Sequence, residues 1–412
     1  MRRPRLRLPR AVLQLPLMLL VPAAAAPLQA QADRLVAGET LRIGSADDTT
    51  YAFDWASSIR AGAEGAIWSA HTNEQKLRVW SPDGALLRVI GRAGDGPGEF
   101  RSIGAFGWRA DTLWTYDNRE ARMSFFDRNG AFLSSQNIRF SVDGPAGPTT
   151  VQAGRLLADG TLAGSTSAPS HLVTSGEITE VHLLRLSRAG ELLNVIQAIP
   201  LESGTLEISN PRNETGPRSF SSQPFSERPL NVPLADGSGF VVVERPYHQE
   251  GREPRFSVAL LDLDGREVWR RWFTYVPRRV TAEEVDSIVA PLVRRATAPA
   301  GGGQFPPIFA SAAAAEEVIR ERLVLPDFHP PVKNVVAGRD GSIWLQRETP
   351  GFGRTGRWNV LDAEGRMTAS LALPRELRVE VADMDHVWGT VTDEFDVPYI
   401  VRYRLGVPAG TL

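Results

Sequence analysis

Short apolar segments alternate with tight polar turns along most of the chain. Five segments share one pattern, in which an apolar strand leads into Asp or Ser, two free positions and Gly, and a second apolar strand follows. Asp or Ser at the first position of a type I turn bonds the backbone two residues further on, and Gly at the fourth accepts the positive φ that closes the hairpin. The pattern therefore predicts five β-hairpins, whose turn glycines are Gly84, Gly130, Gly190, Gly265 and Gly365.

A second pattern precedes these hairpins and occurs six times. It is a tight polar turn followed by a strand that is often centred on Trp, and it is found at 65–68, 111–114, 160–164, 237–243, 341–344 and 385–388. Four short strands in every 40 to 50 residues or so are typical of β-propeller blades. The two patterns together predict an all-β, six-bladed β-propeller.

The sixth copy has no outer strand of its own after 398–406. An apolar segment near 34–45 is a spare strand that precedes the first blade. We predict that it pairs with 399–405 and closes the ring, because closure leaves no unpaired blade edge.

The Gly-rich segment 91–100, GRAGDGPGEF, raises the alternative of a phosphate-binding loop. Gly94 and Gly96 fit the first two positions of a dinucleotide fingerprint, but Glu99 occupies the third, and the residues that follow suit a strand rather than a helix. We interpret the segment as the connector between blades 1 and 2.

At this point the chain resembles a known family. FDRNGAFLSS (126–135) and the connector just described resemble NHL-type repeats and the six-bladed propeller proteins that many bacteria export, and 325–345 is similar to a blade start in the second group. The resemblance covers roughly residues 34–408. It implies the architecture, and it implies binding of protein, nucleic acid or a ligand more than any particular activity.

The first 32 residues differ from the rest of the chain. They hold five arginines and no acid, and an apolar run too short and too interrupted by proline to span a membrane comfortably. Ala30 and Ala32 are the small residues that a signal peptidase reads. We predict a signal peptide over 1–32, cleavage before Asp33, and one propeller domain over 33–412 that is periplasmic or extracellular.

Net charge limits the possible partners, and cysteine content limits the possible chemistry. Removing 1–32 lowers the formal net charge from −2 to −7, because the segment carries five arginines and no acid, and an acidic chain disfavours nucleic acid as a partner. The absence of cysteine excludes disulfides, cysteine-ligated zinc and thiol catalysis. We expect a monomer without a transmembrane segment.

The segment 277–330 interrupts the repeat between blades 4 and 5. Thr281 and Glu284 have capping-box spacing and predict a helix that ends at Pro291, and 312–323 predicts a second helix. The pair is either a lid over the propeller mouth or a packing decoration. We expect the ring to fold without it.

In a four-stranded blade, the 1–2 and 3–4 turns lie on one face, here called the turn face. The 2–3 loops and the connectors between blades lie on the other, the loop face. The long segments all fall on the loop face: 165–180, 244–255, 346–357, 392–398 and the insertions between blades. Elaborated loops on a rigid ring predict that binding occurs there.

Arginine and aromatic residues concentrate in these loops, a combination that suits anionic ligands, glycans or a protein partner. The candidate binding residues are Tyr247, His248, Phe328, His329, Arg347, Arg354 and Arg357. For five of them, Tyr247, His329, Arg347, Arg354 and Arg357, we expect exposure to solvent, so that alanine substitutions leave stability almost unchanged. A protein or glycan is the expected partner of this binding module. His71 and His171 also fall in or near these loops, where exposed histidines are the ordinary expectation.

An enzyme is the alternative, a lactonase-like hydrolase or a lyase with a metal site at the axial mouth. Propeller lactonases bind calcium near the axis through Glu, Asn and Asp from several blades. The predicted inner strands carry only Asn231, Asn334 and Glu380, with Asp54 just before the first. No Gly-x-Ser-x-Gly elbow is present. The sequence requires no cofactor and leaves an axial calcium ion open.

Overall fold

The computed structural model describes residues 26–27, 33–54, 56, 58–62, 65–144, 147–169, 172–173, 176–201, 205–213, 215–299, 306–349 and 354–406. Over these residues the chain is all-β apart from two short helices, and its sheets form a six-bladed propeller. The predicted fold class is confirmed.

The elements are as follows in chain order. Two strands precede the blades: β1 (Ala26–Pro27) and β2 (Asp33–Ile43). Blade 1 contains β3 (Ser58–Ala61), β4 (Ile67–His71), β5 (Lys76–Trp80) and β6 (Leu86–Ile90). Blade 2 contains β7 (Ile103–Arg109), β8 (Thr112–Asp117), β9 (Arg122–Phe126) and β10 (Phe132–Asn137). Blade 3 contains β11 (Arg139–Gly144), β12 (Gly147–Leu156), β13 (Leu162–Thr166), β14 (Glu180–Leu186) and β15 (Leu192–Pro200).

The second half begins with a separate hairpin of β16 (Thr205–Ser209) and β17 (Arg218–Ser222). Blade 4 contains β18 (Leu230–Pro233), β19 (Gly239–Glu244), β20 (Arg255–Asp262) and β21 (Glu267–Thr274). Two helices follow: α1 (Ala282–Thr297) and α2 (Ala312–Arg322). Blade 5 contains β22 (Val332–Ala337), β23 (Ile343–Arg347), β24 (Thr355–Leu361) and β25 (Met367–Pro374). Blade 6 contains β26 (Arg378–Ala382), β27 (His386–Thr392) and β28 (Pro398–Gly406).

Strand β2 closes the ring, as the sequence predicts. It pairs antiparallel with β28, from Val36 opposite Gly406 to Ile43 opposite Ile400. Its first residues also pair in parallel with β25, where Asp33 lies opposite Ala369, so blades 5 and 6 share one eight-stranded sheet. This link between two outer strands was not predicted, and it ties two neighbouring blades together through one segment.

A single strand and a hairpin outside the repeat were also missed. β11 adds a fifth strand beside the inner strand of blade 3, and β16 with β17 forms a hairpin between blades 3 and 4. Neither carries the turn pattern of the blades. In addition, β1 pairs in parallel with the outer strand β21 of blade 4, with Ala26 opposite Phe273. The rest of the predicted signal peptide lies outside the described residues, so the peptide and its cleavage stay a prediction.

The connector and hairpins match the sequence patterns. Residues 91–100 lie between β6 and β7, which confirms their assignment as an inter-blade connector. In the 3–4 turn of blade 2, Asp127 Oδ1 accepts hydrogen bonds from the backbone N–H groups of Asn129 and Ala131, both at 2.8 Å. Gly130 has φ +87°. Asp holds the turn, and Gly supplies the conformation that other residues avoid.

Gly265, in the equivalent turn of blade 4, gives a prediction about stability. A Cβ at this residue (φ +79°) would lie 2.8 Å from the carbonyl oxygen of Ile196, a backbone atom that cannot move aside. Gly251 has nearly the same φ of +81° but open space around it. Gly251→Ala should cost about 1–2 kcal/mol of unfolding free energy from conformation alone. Gly265→Ala should cost clearly more in urea denaturation, and equal losses would contradict the steric argument.

The described parts of the two insertions form one structural unit, here called the cap (205–213, 215–225, 281–299 and 306–325). The cap has its own apolar core, which combines Leu206 and Ile208 of the hairpin with Val289 of α1 and Ile319 of α2. A hydrogen bond also joins α2 to the hairpin: the Arg322 guanidinium donates to the carbonyl oxygen of Glu207 at 3.1 Å. The second predicted helix is confirmed to within one residue, but its partnership with the hairpin was not predicted.

The predicted end of the first helix is wrong. The capping box is present, with the Thr281 side chain accepting from the backbone of Glu284, but α1 continues through Pro291 to Thr297. Proline removes one backbone hydrogen bond and normally ends a helix. Here Val289 and Ala296, on either side of it, are buried in the cap core, and this packing offsets the lost bond.

Candidate functional site

A cleft of about 510 Å³ opens on the loop face, between the cap and blades 4 and 5. The segment before β18, the first turns of α1 and the start of β22 form its walls. Its volume falls in the range of small-molecule sites. It is lined by Ser222, Gln223, Pro224, Phe225, Ser226, Arg228, Pro229, Leu230, Arg245, Glu284, Ser287, Ile288, His329, Pro330, Val332, Lys333, Glu348 and Arg375.

Positive charge predominates in the cleft, where four basic side chains face two carboxylates. Within the described part of the chain, Arg228, Arg245 and Lys333 form no ion pair. Arg245 donates instead to two carbonyl oxygens, that of Arg228 at 2.8 Å and that of Val332 at 3.0 Å. These bonds hold its guanidinium in place without neutralising it, and burial lowers its pKa to about 10.

Arg228 is the least satisfied of these groups. Its guanidinium forms no hydrogen bond to any residue that the structure describes, although its own carbonyl oxygen is bonded by Arg245. Burial lowers its pKa, which means that water only partly compensates the charge. A half-buried guanidinium whose donors are free of described partners is a suitable partner for a carboxylate or phosphate group.

Both carboxylates of the cleft belong to a charge cluster, here called the clasp (Arg278, Glu284, His329 and Glu348). Arg278 bridges the two acids, with Nη1 2.6 Å from Glu284 Oε1 and Nη2 2.8 Å from Glu348 Oε1. His329 Nε2 lies 3.0 Å from Glu284 Oε2. Since Glu284 begins α1 and Glu348 follows β23, the clasp connects the cap to the ring.

The backbone brings these residues together. Before α1 and after α2 the chain forms a short stem, in which Val280 N–H donates to the Asp327 carbonyl at 3.0 Å and His329 N–H donates to the Arg278 carbonyl at 2.9 Å. The stem therefore places the side chains of Arg278 and His329 beside the first turn of α1.

The clasp makes the cap sensitive to acid. Burial raises the pKa of Glu284, but hydrogen bonds from His329, the Thr281 backbone and Arg278 outweigh it and hold the pKa at about 2. A carboxyl whose folded pKa lies below its ordinary value stabilises the fold above that value, and the contribution is lost as the pH falls towards the folded pKa.

Glu284→Gln should therefore weaken the cap at pH 7 by up to about 3 kcal/mol, since each pKa unit corresponds to 1.36 kcal/mol. The difference from wild type should shrink between about pH 5 and 2. Native-state hydrogen exchange of the α1 amides is the measurement. Glu283→Gln, the exposed neighbour in the same turn, is the matched control and should exchange like wild type. A pH-independent difference for Glu284→Gln would contradict the argument.

The predicted site residues separate into three groups. His329 lines the cleft, and it is buried rather than exposed because the stem and Phe225 enclose it. Arg347 is half-buried: its Nε donates to the Pro331 carbonyl at 3.0 Å, and its guanidinium lies over the Phe256 ring. The expectation that these two are exposed is wrong, so their alanine variants should lose stability.

The second group lies beside the stem, and the third outside the cleft. The His248 ring packs edge-on against Phe328, with centroids 4.8 Å apart, and the Tyr247 backbone N–H donates to Glu227. Arg354 and Arg357 are exposed and do not line the cleft. Of the other histidines, His71 is buried beside Ser69 rather than exposed, and His171 falls outside the described residues.

Sequence reasoning missed Arg228, Arg245 and Lys333. Arg228 and Lys333 lie just before or within the inner strands β18 and β22, where these strands start on the loop face. A basic residue at the loop-face end of an inner strand is the sequence signal that could have identified Arg228 and Lys333. A search confined to the loops overlooks this signal.

The sequence offers Asp54, Asn231, Asn334 and Glu380 as possible calcium ligands near the axis. Asp54 and Asn231 are exposed, whereas Glu380 pairs with Arg378 at 2.7 Å. The described residues contain no group of three or more His, Asp or Glu side chains arranged to hold a metal ion.

Several solved structures resemble this chain over most of its length. A protein of Bacteroides fragilis described as exported is 11% identical with a TM-score of 0.49, covering 92% of this chain and 98% of that one. A DUF4221 member from Bacteroides vulgatus is 10% identical with a TM-score of 0.43, covering 92% and 99%. The PQQ-bound aldose sugar dehydrogenase of Streptomyces coelicolor is 11% identical with a TM-score of 0.39, covering 92% and 100%.

No protein-family model matches the chain, and neither does any curated protein sequence. In the part of the chain that the structure describes, neither helix is long and apolar enough to cross a membrane.

Proposed function

We propose that this chain is an exported propeller that binds a small anionic ligand, an acidic sugar above all, in the cleft between the cap and blades 4 and 5. The observation that carries the proposal is the excess of positive charge in a cleft of about 510 Å³. Its two carboxylates are already engaged in the clasp, whereas the guanidinium of Arg228 is not engaged by any described residue.

The cleft favours a ligand that carries both charge and hydroxyl groups. Side chains of Ser222, Ser226 and Ser287 add hydroxyl groups to its wall, and Phe225 adds an aromatic ring. Sugar acids offer a carboxylate for Arg228, hydroxyls for the polar groups and an apolar face for the ring. The volume suits a small molecule or the end of a glycan better than a folded protein, which needs a larger surface.

Export is the second part of the proposal. It is supported by the composition of residues 1–32, which hold five arginines, no acid and a short apolar run. Intact mass measurement of protein recovered from the native host should give a chain that begins at Asp33. Recovery of a chain that retains 1–32 would contradict it.

The binding test uses trigalacturonate as the acidic probe and maltotriose as its neutral counterpart. We expect titration calorimetry to show trigalacturonate binding and no maltotriose binding. Arg228→Ala should weaken affinity at least tenfold, because a charged hydrogen-bond donor is lost from a partly desolvated site.

Arg354→Ala is the matched control, since it removes an arginine from the same face but outside the cleft, and it should bind like wild type. Equal binding of both probes, or an equal effect of the two substitutions, would place recognition elsewhere.

A further inference from the structure

A second group of charged residues lies at the propeller axis, away from the cleft. Four consecutive blades contribute to it through their inner strands: Glu380 from β26, Arg60 from β3, Phe106 from β7 and Arg155 from β12. The Arg60 guanidinium lies 5.7 Å from the centroid of the Phe106 ring, and its charge acts on both Glu380 and Arg155. A blade 1 side chain that reaches blades 2, 3 and 6 must lie where the inner strands converge.

The group lies towards the turn face. Arg60 and Arg155 each precede the last residue of their strand, and both strands run from the loop face to a 1–2 turn on the turn face. The axial group is therefore at the opposite end of the channel from the cleft. It belongs to a different part of the molecule, since neither Arg60 nor Arg155 lines the cleft.

Protein groups leave this positive charge only partly compensated. The Arg155 guanidinium forms no hydrogen bond or ion pair with any described residue, and Arg60 donates to the carbonyl of its own neighbour Ile59 at 2.7 Å. Among the described residues, the carboxylate that acts on Arg60 is that of Glu380, and it is already paired with Arg378 at 2.7 Å. Arg60 and Arg155 therefore have no carboxylate partner of their own in the described part of the chain.

Such an arrangement is unfavourable without a counter-ion. Burial, together with the charge of Arg60, lowers the pKa of Arg155 to about 9. Burial also lowers the pKa of Arg60 despite the attraction of Glu380. Both side chains are partly buried, and in such surroundings like charges repel more than in water and a charge without a partner is unfavourable. An anion between the two guanidinium groups would remove both costs.

We propose that Arg60 and Arg155 form a second binding site, at the turn-face end of the central channel, for a small oxyanion that carries a carboxylate or phosphate group. The guanidinium donors of two arginines from opposite sides of blade 2 can each contact a separate oxygen of such a group. The Phe106 ring lies beside Arg60 and borders the site.

The test uses inorganic phosphate and succinate as separate probes, in the Arg228→Ala chain so that the cleft arginine does not contribute. Calorimetry in Tris–chloride buffer should detect binding of at least one probe, and the tighter one identifies the preferred group. Adding Arg155→Met should weaken this binding at least tenfold. Arg155→Lys keeps the positive charge but loses the planar set of donors of the guanidinium, so it should give an intermediate loss of affinity. No binding of either probe, or equal affinity in the Arg155→Met chain, would overturn the proposal.

A second measurement covers the case in which Arg155→Met does not fold. Wild-type crystals soaked in selenate should show an anomalous peak within hydrogen-bond distance of both the Arg60 and Arg155 guanidinium groups. A map with no peak there, including one with peaks only elsewhere, would overturn the proposal. Because neither measurement depends on the cleft, failure of the sugar-binding proposal would leave this one intact.

Discussion

Deleting residues 33–45 is expected to abolish the cooperative melting transition of the whole protein, or to lower its melting temperature by more than about 10 °C. The deletion removes β2, which is the outer strand of blade 6 and also pairs with β25 of blade 5. A propeller ring depends on contact between every pair of neighbouring blades, and total stability of a domain is only about 5–15 kcal/mol. The stability that is lost with one complete outer strand should exceed this total.

The seam between blades 6 and 1 supports this expectation. Ile43, at the end of β2, is 2% exposed and packs in one cluster with Trp80 of blade 1 and Trp388 of blade 6. Ile43→Ala alone should cost about 2–5 kcal/mol, as large-to-small core substitutions do. Thr40→Ala, on the exposed bulge of the same strand, removes only two exposed hydrogen bonds to Arg402 and should cost about 1 kcal/mol or less. A deletion variant that melts within a degree or two of wild type would show that β2 does not hold the ring together.

Removing only half of the cap should be far more damaging than removing all of it. A short Gly/Ser linker can replace 281–326, since Val280 and Asp327 are hydrogen-bonded neighbours in the stem. This change exposes the apolar side chains of Leu206, Ile208 and Phe225, which the helices cover. Each large side chain that loses its burial costs about 1.5–3 kcal/mol. We expect strong binding of a hydrophobic dye and loss of solubility.

The complete removal is the matched comparison. A tight turn can replace 206–221, because Thr205 and Ser222 are register partners, and Phe225→Ser then removes the last large apolar group. With both replacements, the protein should keep its β-rich circular dichroism spectrum and a cooperative melt. Equal dye binding by the single and double deletions would contradict the existence of a shared cap core. Unfolding of the double deletion would show that the ring needs the cap.

The original expectation, that the ring folds without 277–330, treats the helices as an independent piece. Their partner, the β16–β17 hairpin, comes from another connector about 80 residues earlier in the chain. Nothing in the sequence of α1 or α2 identifies that hairpin, because an amphipathic face specifies that something apolar covers it and not which segment does so.

In the candidate site, too, one feature could be predicted from the sequence and others could not. The capping box at Thr281 and Glu284 was predictable, because both groups bond within one turn of helix. That Glu284 also meets Arg278, His329 and Glu348 depends on the stem and on a loop of blade 5. Arg347 looked like a binding residue by composition, but its bond to Pro331 and its position over Phe256 give it a structural role.

The sequence by itself determined the blade hairpins, the number of blades and the strand that closes the ring. Each of these depends on local turn chemistry, such as Asp127 and Gly130, or on a repeat with one strand missing and one to spare. Only the tertiary structure decided that α1 passes Pro291, that two insertions share one core, and that the guanidinium groups of Arg228 and Arg155 have no hydrogen-bond partner among the described residues. The physical reason is that packing and charge compensation arise between residues far apart in the chain. The pattern within one segment does not specify which other segments will contact it.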